Sequence, residues 1–392
     1  MKFLILNADY PEFLRWLYAE RPGLECQRYE EQMRVRNESL SGWADFYPSN
    51  LRRLGHEARN IHFTNAFMQR AWAREHGMST QEPPPIPSSV LDSLQRARRR
   101  AYRTPLRLLR PVVRPLLDWL GSTGAWRQDV LARQIKHYRP DVLLNQSIGL
   151  SSGFLSEMRP YARLLVGQHA SPLPHGQELG VYDLILASLP NFVDHFRRHG
   201  VASELLRLGF EPTVLQHLGP PNKSSAVSFV GSLLAAHASR RRFLNYVCQR
   251  VPVEAWGHGF NHVSRDSAIH SCYNGTAWGV RMYRILQNSQ ISLNHHIDVA
   301  ERYANNMRLF EATGVGTLLI TDWKSNLHEM FKLAKEVVAY RSPEECVELI
   351  QYYLEHEEER DAIARAGQHR TLREHTYYHR MQELVYLVQQ YL

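Results

Sequence analysis

The sequence predicts an α/β protein made of two doubly wound parallel sheets that face each other across a cleft. Three observations predict it. Short apolar runs alternate with helical patterns in both halves, the grammar of βαβ units. A chain of 392 residues, 44% of them apolar, suits two cores better than one. The run Gly219-Pro220-Pro221-Asn222-Lys223 sustains neither helix nor central strand and separates the halves. The first domain is therefore placed at 1–219 and the second at 223–375, with a terminal helix within 376–392 returning to the first.

In the first half, Lys2 to Leu6 reads as a buried strand, and Leu51 to Glu57 as a helix end turning into a second one. Asp141–Asn145, Arg163–Gly167 and Tyr182–Leu186 are further buried strands, and Phe192 to His199 is a helix closed by Gly200. In the second half, strands are expected at Ala226–Val230, Val253–Trp256, Gln290–Asn294, Thr317–Thr321 and Glu336–Tyr340. Helices are expected at Arg241–Arg250, Val280–Gln287 and Met307–Thr313. Ser342-Pro343-Glu344-Glu345 has the make-up of a capping box with proline in the first turn. Cys346, Leu349, Ile350, Tyr353 and Leu354 follow at helical spacing, and Gly314 and Gly367 are read as left-handed helix ends.

Composition narrows the function classes. No window reaches the roughly 20 apolar residues a membrane helix requires. The start, Met1 to Asn7, is too short and lacks the small-residue site of a signal peptide, so a cytoplasmic setting is expected. Cys26, Cys248, Cys272 and Cys346 are far apart in sequence, which argues against a disulfide framework or a cysteine zinc site. The net charge of +8 favours anionic ligands without choosing among them. No helix-turn-helix, RNP or zinc-finger pattern supports nucleic acid as a partner.

An arginine-rich insertion interrupts the first half from about residue 83 to 124, after Pro83-Pro84-Pro85-Ile86-Pro87. Arg96, Arg98, Arg99, Arg100, Arg103, Arg107, Arg110 and Arg114 alternate there with apolar residues. It reads either as a helical hairpin packed on the sheet or as a surface element touching anionic lipid at the inner membrane face. Pro105, Pro111 and Pro115 cut it into short pieces, which favours the hairpin.

Asn305-Asn306-Met307-Arg308-Leu309-Phe310-Glu311-Ala312-Thr313-Gly314 has the parts of a phosphate-and-ribose site. An asparagine caps a short helix whose free N–H groups can meet a pyrophosphate. Arg308 adds a fixed cation with two-pronged geometry, and Glu311 a carboxylate on the same helix. Gly231 and Ser232 follow a strand, where a tight turn lets backbone amides approach phosphate, and Arg240, Arg241 and Arg242 follow closely. Arg240 is favoured among them as nearest the turn. His169, just past a first-domain strand, is the candidate for deprotonating an acceptor. Asn7 and Asp9 would line the cleft from the same side. Of His295-His296-Ile297-Asp298, adjacent histidines at a strand end point to opposite sides, so His295 is read as a residue beside a bound phosphate or sugar rather than a metal ligand.

The stretch from Asn305 to Asp322 resembles the nucleotide-sugar-binding segment of GT-B glycosyltransferases, in particular the CgeB-like, group 1 bacterial branch. The likeness extends through Glu336–Glu345 to Arg373–Tyr377, and upstream to Phe229–Ser232, Ile291–Asn294 and Val166–Pro174. The resemblance implies two Rossmann-like domains and a hexosyltransferase-like enzyme that needs no metal or other cofactor. It also implies a nucleoside-diphosphate-sugar donor held by the second domain, an unidentified acceptor hydroxyl, and a ribose contact at Glu311. Many retaining members carry a second glutamate eight positions before that one. Tyr303 stands there in this chain. Asp298 and Glu301 are the nearest acids; Asp298 is taken as the catalytic candidate, and retention is favoured over inversion. The competing reading is a non-catalytic, degenerate sugar-nucleotide-binding protein.

Overall fold

Strand β1 (Lys2–Asn7) lies inside a parallel sheet with β2 (Glu57–His62), β3 (Val142–Asn145), β4 (Leu164–His169), β5 (Leu184–Ala187) and β6 (Ser203–Leu205), in the order β2-β1-β3-β4-β5-β6. The structure is a computed structural model and describes residues 1–80, 125–146, 148–169 and 178–392. The arginine-rich segment, and the 170–174 part of the Val166–Pro174 stretch, lie outside those residues. Side chains alternate between faces along a strand, and here both faces are covered. Phe3 and Ile5 enter one core while Leu4 and Leu6 enter another. This is why β1 reads as a continuous apolar run.

The second sheet is also parallel, in the order β11-β10-β9-β7-β8. Its strands are β7 (Ser225–Val230), β8 (Glu254–Trp256), β9 (Ser289–Asn294), β10 (Leu318–Asp322) and β11 (Val338–Tyr340). Leu318 and Ile320 of β10 face one core and Leu319 the other. The core that holds Leu319 also takes Phe3, Ile5, Phe210, Tyr377 and Leu384, so one apolar cluster joins the two sheets.

The terminal helix Tyr377–Gln389 crosses back to the first sheet and packs on the helix Phe46–Arg53, with the Tyr377 ring 5.4 Å from that of Phe46. Its approach is fixed by backbone bonds from Phe210 N to His375 O at 2.8 Å and from Tyr377 N to Phe210 O at 2.9 Å. Buried Arg380 donates from Nε to Leu208 O at 2.9 Å, tying the helix to the chain that leaves β6.

Two glycines differ from expectation. Neither Gly314 nor Gly367 is left-handed; the positive φ, +78°, falls on Gly316. Gly367 sits inside the helix Glu357–Glu374, where a β-carbon would lie 2.3 Å from Glu336 O. One at Gly314 would lie 2.4 Å from the Phe210 ring. Close approach, not turn geometry, selects glycine at both. Gly367→Ala must separate the helix from the backbone before β11, and it is expected to lower stability by about 1–3 kcal/mol, measured by urea unfolding. Stability equal to wild type would show that the contact relaxes freely.

All four cysteines are free thiols in the structure. Cys248 and Cys272 are distant in sequence, yet the fold brings their Sγ atoms to 2.8 Å. Among the described residues no helix is long and apolar enough to cross a membrane.

Candidate functional site

A cavity of about 490 Å³ opens between the sheets at the carboxyl ends of their strands, where doubly wound folds bind ligands and within the usual size of a small-molecule site. The second domain supplies its floor. Asn306 precedes the helix Met307–Gly314 and accepts from Leu309 N at 3.2 Å through Oδ1. Its Nδ2 donates to Asn294 Oδ1 at 2.8 Å, locking the helix start to the end of β9. Asn294 in turn donates to Thr321 Oγ1 at 2.9 Å. The helix N-terminus is thereby fixed at the cavity, with its first amides available to an anion. Asn305 turns away and donates to the Ser188 carbonyl across the domain junction.

Glu311 is only 4% exposed and lines the cavity. Burial raises its pKa above the ordinary carboxylate value, and the nearby Arg308 cation opposes that rise. Arg308 Nη1 lies 2.8 Å from Glu311 Oε2, and its Nε donates to Val230 O at 3.0 Å. Arg308 therefore braces the carboxylate against the end of β7 as well as lining the cavity, a fuller role than the phosphate contact expected of it.

Gly231 and Ser232 lie just after β7 and line the same space. Gly231 N donates to Trp256 O at 2.9 Å. Gly257, at φ +152°, passes so close that a β-carbon there would sit 1.8 Å from Gly231 O. Only glycine fits that crossing. Arg240, on the helix Ala238–Cys248, closes the turn from below. It donates from Nη1 to Ser232 O at 3.0 Å, and from Nε and Nη2 to His295 O at 3.0 and 2.7 Å. Burial pushes its pKa down to about 10, so it remains a cation at neutral pH.

The first domain supplies the opposite wall through Asn7, Asp9, Tyr10, Trp43 and Gln146. Asp9 is buried against Arg36 Nη2 at 2.5 Å, and its second oxygen lies 3.1 Å from His62 Nδ1. Burial alone would raise the Asp9 pKa, but the charges of Arg36 and His62 outweigh it and hold the carboxyl well below its usual range.

Of the residues expected from sequence, the cavity gathers Asn7, Asp9, Gly231, Ser232, Arg240, Asn306, Arg308 and Glu311. It does not gather His169, His295 or Asp298. His169 ends β4, buried, with its ring 5.4 Å from Phe192 and 6.3 Å from Phe196. The His295 ring stacks on Phe243 at 4.7 Å, and its Nδ1 lies 2.9 Å from Tyr340 Oη, so only its carbonyl serves the site, through Arg240. Asp298 is exposed and accepts from Ser239 Oγ. Tyr303 and Glu301 line a separate hollow with His195 and Arg302.

Sequence reasoning missed Arg36, His237, His258, Trp278 and Met282, all on the cavity wall. Gly257-His258-Gly259 directly after a strand was a usable signal for His258. Arg36 gave none, because its pairing with Asp9 exists only in the fold. Among the described residues no cluster of three or more histidine, cysteine or acidic side chains could hold a metal ion.

Residues 237–386 match the family model described as glycosyl transferase-like. No curated protein sequence matches the chain. Among solved structures, HepE from Anabaena in complex with UDP-glucose aligns over 100% of both chains at 12% identity with a TM-score of 0.56. A glycosyltransferase from Rickettsia africae covers 100% of this chain and 98% of its own at 10% identity, TM-score 0.55. The N-terminal domain of Candida albicans trehalose-6-phosphate phosphatase covers 100% and 97% at 9% identity, TM-score 0.52. Two parallel-sheet domains with the last helix returning to the first define the GT-B class. The match to the glycosyl transferase-like model falls on the second domain and the terminal helix.

Proposed function

We propose that the cavity binds a nucleoside-diphosphate sugar and that the protein transfers the sugar to an acceptor hydroxyl, as a group 1, CgeB-like enzyme. The observation that carries this is the Asn306-capped helix start opening on the cavity beside buried Glu311. One short element thus offers amides for a diphosphate and a carboxylate for two ribose hydroxyls. Charge on the departing diphosphate would be met by Arg308, Arg240 and the helix dipole, without calling on a metal. The sugar would face Asn7 and Asp9, and the acceptor hydroxyl would attack the anomeric carbon from the face that the diphosphate leaves, its proton passing to the departing phosphate oxygen. Closure of the domains would exclude water as a competing acceptor.

HepE, which shares the fold, has been seen with UDP and with UDP-glucose, so uridine donors come first in a test. A retaining outcome remains our reading. The acceptor hydroxyl is unidentified, and contact of the Arg96–Arg114 segment with anionic lipid is the alternative to a hairpin packed on the sheet. The test is a thermal-shift panel of UDP, GDP, TDP and CMP sugars. A ligand at a hundred times its Kd stabilises the native state by about 2.7 kcal/mol, which corresponds to a rise of roughly 5 °C. One nucleotide should produce such a shift; no shift with any of them would overturn the proposal.

A further inference from the structure

The helix Ala238–Cys248, which presents Arg240 to the cavity, ends at Cys248, and the short helix Ile269–Cys272 ends at Cys272. Their Sγ atoms lie 2.8 Å apart, inside ordinary sulfur–sulfur contact, and both residues are half-buried. Cys272 opens the segment that walls the cavity. Asn274 N donates to Ala255 O at 2.8 Å and Gly257 N to Gly275 O at 2.9 Å, after which Thr276, Ala277, Trp278 and Gly279 line the cavity. Val280 N then donates to Ser39 O in the first domain at 3.2 Å.

We propose that Cys248 and Cys272 form a reversible disulfide, made by exchange with a small-molecule disulfide, that pins the 273–279 wall of the cavity to the Arg240 helix. The Cys272 thiolate attacks one sulfur of oxidised glutathione and expels glutathione thiolate. The Cys248 thiolate then attacks the Cys272 sulfur of the mixed disulfide and expels the second glutathione. Two protein thiols are oxidised, one external disulfide is reduced, and the two released protons pass to solvent. Either thiol can donate in the shared hydrogen bond, which raises the Cys248 pKa and lowers that of Cys272 and so makes Cys272 the better attacking group. The pair differs from Cys346, which is fully buried, and Cys26, which is exposed and lies in the other half of the chain.

The test treats the full chain with oxidised glutathione, then combines non-reducing peptide mapping, thermal melting and amide exchange. Expected are a peptide pair joining Cys248 to Cys272 and a rise in Tm of roughly 5 °C. Slower exchange across 273–279 is expected as well, and dithiothreitol should reverse all three. Cys248→Ser should instead accumulate a glutathione adduct on Cys272 with no rise in Tm. Both thiols still open to alkylation after treatment would overturn the bridge. A bridge that leaves exchange across 273–279 unchanged would overturn its hold on the cavity wall.

Discussion

Replacing Glu311 with alanine is expected to weaken binding of the preferred nucleoside diphosphate by at least a hundredfold. The carboxylate accepts from both ribose hydroxyls in this account, and each charge-assisted bond is worth about 1.5–3 kcal/mol. The same change frees Arg308, whose side chain is 13% exposed and keeps its bond to Val230 O, so the fold should survive with a modest loss of stability. Calorimetry on the folded variant separates the two effects. Glu311→Gln, which keeps the volume and one acceptor oxygen, should recover part of the affinity. Affinity equal to wild type in the alanine variant would remove Glu311 from the donor site and leave its burial beside Arg308 as a structural ion pair.

The second large effect is expected on stability. Arg36→Met keeps an unbranched stem against Phe13, whose ring lies 5.2 Å from the guanidinium, but leaves Asp9 buried without its main partner. Breaking a buried pair on one side costs about 3–5 kcal/mol. The pH dependence has a defined sign. In the wild type the Asp9 pKa is depressed below its unfolded value of 3.8, so its stabilisation is present above that pH and fades as pH falls further. In the variant, burial without Arg36 raises that pKa, and the carboxyl protonates at mildly acid pH, where the charge no longer has to be buried. The difference between the proteins should therefore be large at pH 7 and smaller near pH 4, read from urea unfolding at each. A difference independent of pH would assign the loss to packing.

Much of the architecture could be read from sequence because parallel strands buried on both faces leave an unmistakable signal. Lys2–Leu6, Asp141–Asn145 and Gln290–Asn294 are examples, each placed to within a residue or two of the observed strand. The Asn306 cap was legible for the same local reason, since a cap and the amides it serves lie within one turn. Contacts between distant segments were not. Gly367 looked like a helix end because a lone glycine carries no mark of the Glu336 carbonyl packed against it. His295 and Asp298 follow β9 and so seemed to belong to the site, but Phe243 and Tyr340 take the histidine ring, and Asp298 meets Ser239 at the surface. His169 was placed correctly at a strand end, yet its ring turns into the aromatic layer of Phe192 and Phe196. Strand position indicates the end of the sheet a residue occupies and leaves open which way its side chain points.

Asp9 shows a related limit. Its place after β1 pointed to the cleft, and it lines the cavity. Its chemistry is set by Arg36, far along the chain, which holds the carboxyl ionised and so makes it a weak base. Asp9 is better suited to orienting a sugar or acceptor hydroxyl than to removing a proton.

The most direct measurement is a crystal structure of the full chain with the nucleoside diphosphate that raises Tm most. Phosphate oxygens are expected on the amides at the start of the Met307–Gly314 helix, with both ribose hydroxyls on Glu311. A nucleotide bound elsewhere, or seated in the cavity with its ribose away from Glu311, would contradict the proposal.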